Sequence, residues 1–313
     1  MDPARFRQRL REVVPADAVR EHERLAAHTT FQVGGPADWL VDVGTASQLQ
    51  AVVRAARECA LPVTILGGGS NVIVSDEGVR GLVLRLRLTS VSQPDPATVR
   101  AESGVTMNGL VRWTIGRGLA GLEAWAGTPG TVGGAIYGNA HYAGRNIGDR
   151  VRQVRVITPA GDEATVAAAD MAFGYDTSRL QRTGEILVWA NFEAAPGEPD
   201  DLRAVARASL AHRKLTQPLA QPSAGCMFQN PDPRRDVLPP GVPASAGALI
   251  DRAGLKGHRV GGASISMVHA NFFVSDGSAT ARDIFLLAES ARAAVRDRFG
   301  VELRNEVVFL GHF

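Results

Sequence analysis

The chain reads as an α+β protein. Helix-period segments alternate with short strand-like ones, one hairpin shows its own turn residues, and a strong terminal helix is followed by one more strand. In chain order, "TASQLQAVVRAARECALP" places Leu49, Val52, Val53, Ala56 and Cys59 on one face, which predicts an amphipathic helix with Cys59 in the core. "PVTIL" follows as a buried strand and runs straight into "GGGSN". "VRGLVLRL" and "VRAESG" read as further strands, and "MNGLVRWTIGRGLAGL" as a helix ending near Gly118 and Gly121. "VRQVRVITPAG" and "DEATVAAAD" predict a hairpin through Pro-Ala-Gly-Asp. "EILVWANFEA" is a strand, and "DDLRAVARASLAHRKL" a helix opening on acidic residues. The Pro-rich "NPDPRRDVLPPGVPAS" is a loop leading to the helix "SAGALIDRAGLKG". "RVGGASISMVHANFFVS" is strand-rich, "SATARDIFLLAESARAAVRDRFG" a helix with a Ser/Thr start and a Gly stop, and "VELRNEVVFLG" the closing strand.

A length of 313 residues predicts two or three domains. The 45% hydrophobic and 21% charged content is ordinary for a globular protein. No apolar run reaches bilayer length and no signal-peptide pattern opens the chain, so the cytoplasm is the expected location and no membrane partner is expected. Two cysteines make neither a disulfide framework nor a four-ligand zinc site. The 34 basic residues are scattered and aromatics are 6%, which argues against a nucleic-acid track and suits a small anionic ligand.

Two glycine-rich segments carry chemistry. In "LGGGSNVIVSD" a strand feeds Gly67, Gly68 and Gly69, whose N–H groups can approach an anion, with Ser70 and Asn71 as side-chain donors. The dinucleotide fingerprint fails, because Val72 stands where a third glycine is required, and no Gly-Lys-Ser/Thr completes a Walker motif. In "AGTPGTVGGAIYGNAHYAG" small residues surround a Pro-Gly turn, the density expected where a ligand or another backbone passes close by. A plain tight turn and helix-on-sheet packing are the respective alternatives. Together the segments fit a long ligand with a central pyrophosphate, the shape of FAD. "QPSAGCMFQNP" poses a separate question, since Cys226 is a buried hydrophobe by default.

Seven stretches in order resemble the landmarks of the UDP-N-acetylenolpyruvoylglucosamine reductase family. They are "HTTFQVGGPADWLV", "LGGGSNVIVSD", "GTPGTVGGAIYGNA", "FGYDTSRLQ", "QPLAQPSAGCMFQNP", "AGALIDRAGLKGHRVGGASISMVHANFFVS" and "RNEVVFLG". The resemblance runs from Thr29 to Gly311. It implies a two-subdomain FAD-binding module of the vanillyl-alcohol-oxidase/PCMH type, followed by a carboxyl-terminal α+β substrate-binding domain. The expected parts are residues 1–88, to which 302–313 return, then 89–210, and 211–301, in the shorter family subtype. The implied activity is NADPH-dependent reduction of UDP-N-acetylglucosamine enolpyruvate to UDP-N-acetylmuramate with non-covalent FAD. An FAD oxidase and a non-catalytic flavin or UDP-sugar binder are the competing readings.

The resemblance also implies residue roles. Cofactor contacts fall on Leu66, Gly67, Gly68, Gly69, Ser70, Asn71 and Val72, and on Gly127, Pro129, Gly130, Thr131, Gly133, Gly134 and Ala135. Cys226 stands where the family has a proton-donating serine, and a thiol with an ordinary pKa of ~8.5 is a far stronger acid than an alcohol. Glu306 matches the family's partner glutamate. Tyr175, Asn230 and His269 match positions near the substrate, although a lone strand histidine is more often a satisfied core residue. One departure is sharp. Asp176 replaces an arginine that steadies the substrate's carboxylate and enolate; if the segment is helical, Arg179 at i+3 shares its face and is the candidate substitute, with a plain surface arginine as the alternative.

Overall fold

The computed structural model describes residues 3–238 and 240–313. The chain divides into two compact units. The first takes the residues through Glu23, Ala37–Gly68 and Arg80–His212, and the second takes Arg24–Pro36, Gly69–Val79 and Arg213–Phe313.

The first unit holds two cores. A four-stranded sheet runs in the order Val19–Glu21, Ala37–Val43, Val79–Leu86, Val63–Ile65. Its first pair is antiparallel, with Val19 opposite Val41, and its last pair parallel, with Val63 opposite Leu82. The helix Ala46–Glu58 forms because its apolar residues recur at helical spacing and Thr45 accepts the Gln48 N–H at its start. With the helix Pro3–Val13 it encloses Phe6, Leu10, Val41, Leu49, Val52, Leu82 and Leu84. Cys59 lies at the C-cap of Ala46–Glu58 and is half-buried at the rim of this core, not inside it. "PVTIL" also differs from expectation. Val63–Ile65 is an edge strand with Val63 and Ile65 exposed, because only one side has a neighbour.

The second sheet is antiparallel throughout, in the order Glu163–Ala167, Val151–Ile157, Ile186–Glu193, Thr98–Glu102, Val91–Asp95. The predicted hairpin is present, with Ile157 opposite Glu163. Helices Met107–Ile115 and Val132–Tyr137 cover this sheet around Trp125, Leu110, Ile136, Val154 and Phe192. The first of them stops earlier than expected. Gly118 turns the chain in the left-handed region (φ +63°), and Leu119–Ala120 then pairs with Ala195–Pro196. The helix Pro199–Thr216 opens on Pro199, Asp200 and Asp201 as predicted.

The second unit is built on the helix Ala281–Phe299. Thr280 and Asp283 form a capping box at its start, and Gly300 (φ +69°) ends it. The Asp76 carboxylate adds to the cap by accepting the Ala281 and Arg282 N–H groups, each at 2.9 Å. Against this helix lie the helix Ala246–Arg252 and an antiparallel sheet of Arg259–Val260, Ala263–Ile265 and Phe273–Ser275. Their core includes Phe31, Ile73, Ile250, Phe273, Ile284, Leu287 and Val295. The closing strand is only Val308–Leu310, paired in parallel with Val72–Val74, a segment that itself belongs to this unit.

Candidate active site

In the first unit the two glycine-rich segments meet. A Cβ on Gly67 would lie 3.0 Å from Thr131 Oγ1, and one on Gly68 would lie 2.7 Å from Gly130 Cα. Glycine is required there because two backbones cross at contact distance. The available donors then follow from where each N–H points. The Gly133 N–H is spent on Ser103 O (2.8 Å), Gly134 on Thr131 Oγ1 (3.3 Å), Ala135 on Thr131 O (2.9 Å) and Gly127 on Asn108 Oδ1 (2.7 Å). Those four therefore shape the loop, and the expected donor set narrows. Among the described residues, the N–H groups of Gly67 and Gly68, and those of Gly130 and Thr131, meet no protein acceptor. Leu66 remains tied to Leu84 O (2.8 Å), Pro129 has no N–H, and Val72 begins the next strand. A run of unspent amides beside a backbone crossing that any Cβ would fill fits the pyrophosphate of FAD.

In the second unit a strap carries Cys226. Gly225 adopts φ +82° and Cys226 forms a bridge with Phe272. The next two residues are gripped by Asn271. Its carbonyl accepts the Met227 N–H (2.7 Å), its Oδ1 accepts the Phe228 N–H (3.0 Å), and its Nδ2 donates to Phe228 O (2.7 Å). Glu306 is fastened to the same strap, since its N–H donates to Met227 O (2.9 Å), and Asn305 bridges Phe228. Glu306 is thus half-buried in the bend before the closing strand, not within a strand as its apolar surroundings suggested.

Three assignments shift. The Asn71 side chain was expected to donate to an anion, yet its Nδ2 donates to Glu306 O (3.1 Å), so it positions Glu306. Asn230 Oδ1 accepts the Ala246 N–H (3.0 Å) at the start of the helix Ala246–Arg252. His269 Nδ1 accepts the Asn271 N–H (3.2 Å), and its ring packs edge-on against Phe272. Burial, reinforced by Lys256, pushes His269 below the ordinary histidine range, in keeping with a neutral acceptor. Asn271 was missed. Its signal was present in "HANFF", where a polar residue interrupts an apolar run.

Arg179, the candidate substitute for the absent arginine, is engaged by Glu185. Its guanidinium grips Glu185 with two bonds, Nε to Oε2 at 2.8 Å and Nη2 to Oε1 at 3.1 Å. The Glu185 side chain is only 8% exposed, so it needs that counter-charge, and the bond from Arg179 holds it below the usual carboxylate range. Asp176 faces elsewhere, toward His141, and Tyr175 stacks on the same imidazole with centroids 5.0 Å apart.

These features define an FAD-binding protein with a separate carboxyl-terminal unit. Residues 37–167 match the FAD binding domain, and wild-type Phl p 4.0202, a glucose dehydrogenase, shares the fold over 62% of this chain and 44% of its own (TM-score 0.51, 15% identity). Residues 217–310 match the UDP-N-acetylenolpyruvoylglucosamine reductase C-terminal domain. UDP-N-acetylenolpyruvoylglucosamine reductase 2 of Symbiobacterium thermophilum is 42% identical, covering 97% of this chain and 96% of its own. The corresponding protein of Synechococcus sp. (strain RCC307) is 37% identical, covering 96% and 97%. The crystal structure of the reductase from Thermus caldophilus superposes with a TM-score of 0.78 at 33% identity, covering 94% of this chain and all (100%) of that one. The chain belongs to the UDP-N-acetylenolpyruvoylglucosamine reductase family.

Proposed function

We propose that Cys226 is the proton donor in the family's reaction, the reduction of UDP-N-acetylglucosamine enolpyruvate to UDP-N-acetylmuramate in peptidoglycan precursor synthesis. The enzyme is an oxidoreductase that uses FAD and NADPH. Bound FAD would supply the hydride chemistry, with NADPH as the source of the hydride and the terminal carbon of the enolpyruvyl group as its destination. The chain's own part begins there. Negative charge builds on the carbon beside the carboxylate, and the Cys226 S–H gives that carbon its proton, leaving a thiolate that solvent reprotonates. Glu306 is the accompanying acid, kept in register by its N–H on Met227 O and by Asn71 on its carbonyl. The amides of Gly67, Gly68, Gly130 and Thr131 would hold the cofactor's phosphates.

The observation that supports this reading best is the shared strap, which ties the two candidate proton carriers to one short stretch of backbone. Asn230 and His269 support the substrate side by fixing the helix Ala246–Arg252 and the Asn271 grip. Among the described residues no helix is long and apolar enough to cross a membrane. We place the enzyme in the cytoplasm, a reducing compartment that suits two cysteines held outside any disulfide. The test is NADPH oxidation by the purified flavoprotein with and without the enolpyruvyl substrate. Substrate-dependent oxidation is expected, and oxidation indifferent to substrate would overturn the reading.

A further inference from the structure

Arg292 takes no part in the FAD cradle or in proton transfer, yet it touches both segments that carry the candidate proton carriers. It stands in the middle of the helix Ala281–Phe299, and its side chain is 18% exposed, so its bonds are largely sheltered from water. The guanidinium is a rigid fork whose nitrogens meet separate acceptors. Nε donates to Leu303 O (3.0 Å), Nη2 donates to Asn305 Oδ1 (2.6 Å), and Nη1 is taken by the Glu289 carboxylate. Glu302 Oε1 lies 3.7 Å from Nε. Leu303 and Asn305 flank Arg304, and Asn305 directly precedes Glu306, so the fork fixes the chain as it enters the bend. The Arg304 side chain turns instead to the Asp236 carboxylate, with bonds of 3.1 and 3.2 Å.

The same guanidinium lies over the ring of the fully buried Phe228, 5.7 Å from its centroid and within range of a cation–π contact. Arg292 thus holds both partners of one short ladder. Its rungs are the Gln229 N–H on Arg304 O (2.9 Å), the Phe228–Asn305 bridge and the Glu306 N–H on Met227 O (2.9 Å). Asn271 grips Phe228 by its backbone, and Arg292 meets its ring. We propose that Arg292 is a positioning residue for the reduction, its forked contacts keeping Glu306 in register with the Cys226 strap. The proposal rests on the reductase reading and adds a residue to it. Two carboxylates, Glu289 and Glu302, already balance the arginine's charge, so what it passes to Glu306 is position. A lysine would keep the pair with Glu289, but its single ammonium cannot present a fixed fork to Leu303 O and Asn305 Oδ1. A misplacement of about 1 Å at a reacting group costs on the order of 10²-fold in rate.

The experiment separates the two half-reactions by flavin absorbance in stopped flow. The FAD-loaded proteins are wild type, Arg292→Lys, Asn305→Ala, Glu306→Gln and the double variant Arg292→Lys/Glu306→Gln. Asn305 is exposed, so its alanine variant tests the fork even where the lysine variant folds poorly. Reduction by NADPH is expected to stay within about twofold of wild type in Arg292→Lys and Asn305→Ala, while reoxidation by the enolpyruvyl substrate slows about 10- to 10²-fold. In the Glu306→Gln background Arg292→Lys should cost less than about threefold more, since the residue it positions is already disabled. Wild-type reoxidation in both single variants, equal slowing of the two half-reactions, or the full further loss in the Glu306→Gln background overturns the proposal. A wild-type flavin that NADPH reduces but the substrate fails to reoxidise overturns the reductase reading itself, and this proposal with it.

Discussion

Replacing Asn271 by alanine removes two hydrogen bonds to the backbone of one buried residue, Phe228. Phe228 N–H loses its acceptor at 3.0 Å and Phe228 O its donor at 2.7 Å, and neither can reach water because Phe228 is fully buried. Each buried backbone group left unmatched costs about 1–3 kcal/mol, so the pair predicts a loss of roughly 2–6 kcal/mol. Asn271→Asp keeps the acceptor but sets a second oxygen against the Phe228 carbonyl, so it should be no better than alanine at neutral pH. Urea unfolding of the flavin-loaded protein gives the stability, and steady-state NADPH oxidation gives the consequence for the strap. Turnover should fall in both variants, because Met227 and Phe228 carry Cys226 on one side and anchor Glu306 on the other. A loss below ~1 kcal/mol with unchanged kcat would refute the claim that the asparagine grip holds the strap.

Gly68→Val should give protein lacking flavin absorbance, because its Cβ would fall 2.7 Å from Gly130 Cα, and full FAD occupancy would contradict the cradle. Arg179→Ala should leave kcat within about threefold while costing about 1–2 kcal/mol of stability, since it strips the counter-charge from the mostly buried Glu185. Glu185 is held below its ordinary range, so this contribution is present above ~4.5 and fades as pH falls toward the lowered value, and a wild-type advantage that persisted undiminished at pH 3 would refute it. His269 is also lowered, so its contribution is present above ~6.5 and is lost as pH falls through its folded value. The Tm difference between wild type and His269→Ala should therefore shrink from pH 7.5 to pH 5, and a constant difference would count against the neutral acceptor.

The features legible in the sequence are those written locally. The 151–167 hairpin carries its own turn, the capping residues Thr45, Thr280 and Asp283 sit within a few positions of what they cap, and the glycines of both loops announce a close approach. The helix Pro3–Val13 was also readable, since Phe6 and Leu10 recur at i, i+4, but it was not foreseen. What stayed hidden depends on partners far along the chain. Asn71 reaches Glu306 across 235 positions, so nothing near "GGGSN" tells whether its amide serves a phosphate or a carbonyl. Segments 24–36 and 69–79 join the carboxyl-terminal unit for the same reason. Arg179 had the helical spacing to approach the Asp176 position, but spacing does not show a competing carboxylate such as Glu185. His141 meets Asp176 only because two loops fold together, and neither loop alone marks the pair.

The central claim is that Cys226 gives the proton, and single-turnover kinetics on its variants tests it most directly. Cys226→Ala should bind FAD and accept hydride from NADPH at the wild-type rate, yet form product more than about 10²-fold more slowly once substrate is added. Cys226→Ser, which restores an O–H at the same Cβ, should retain measurable product formation. Wild-type product formation by the alanine variant would contradict the account and return Cys226 to the role of a packed side chain.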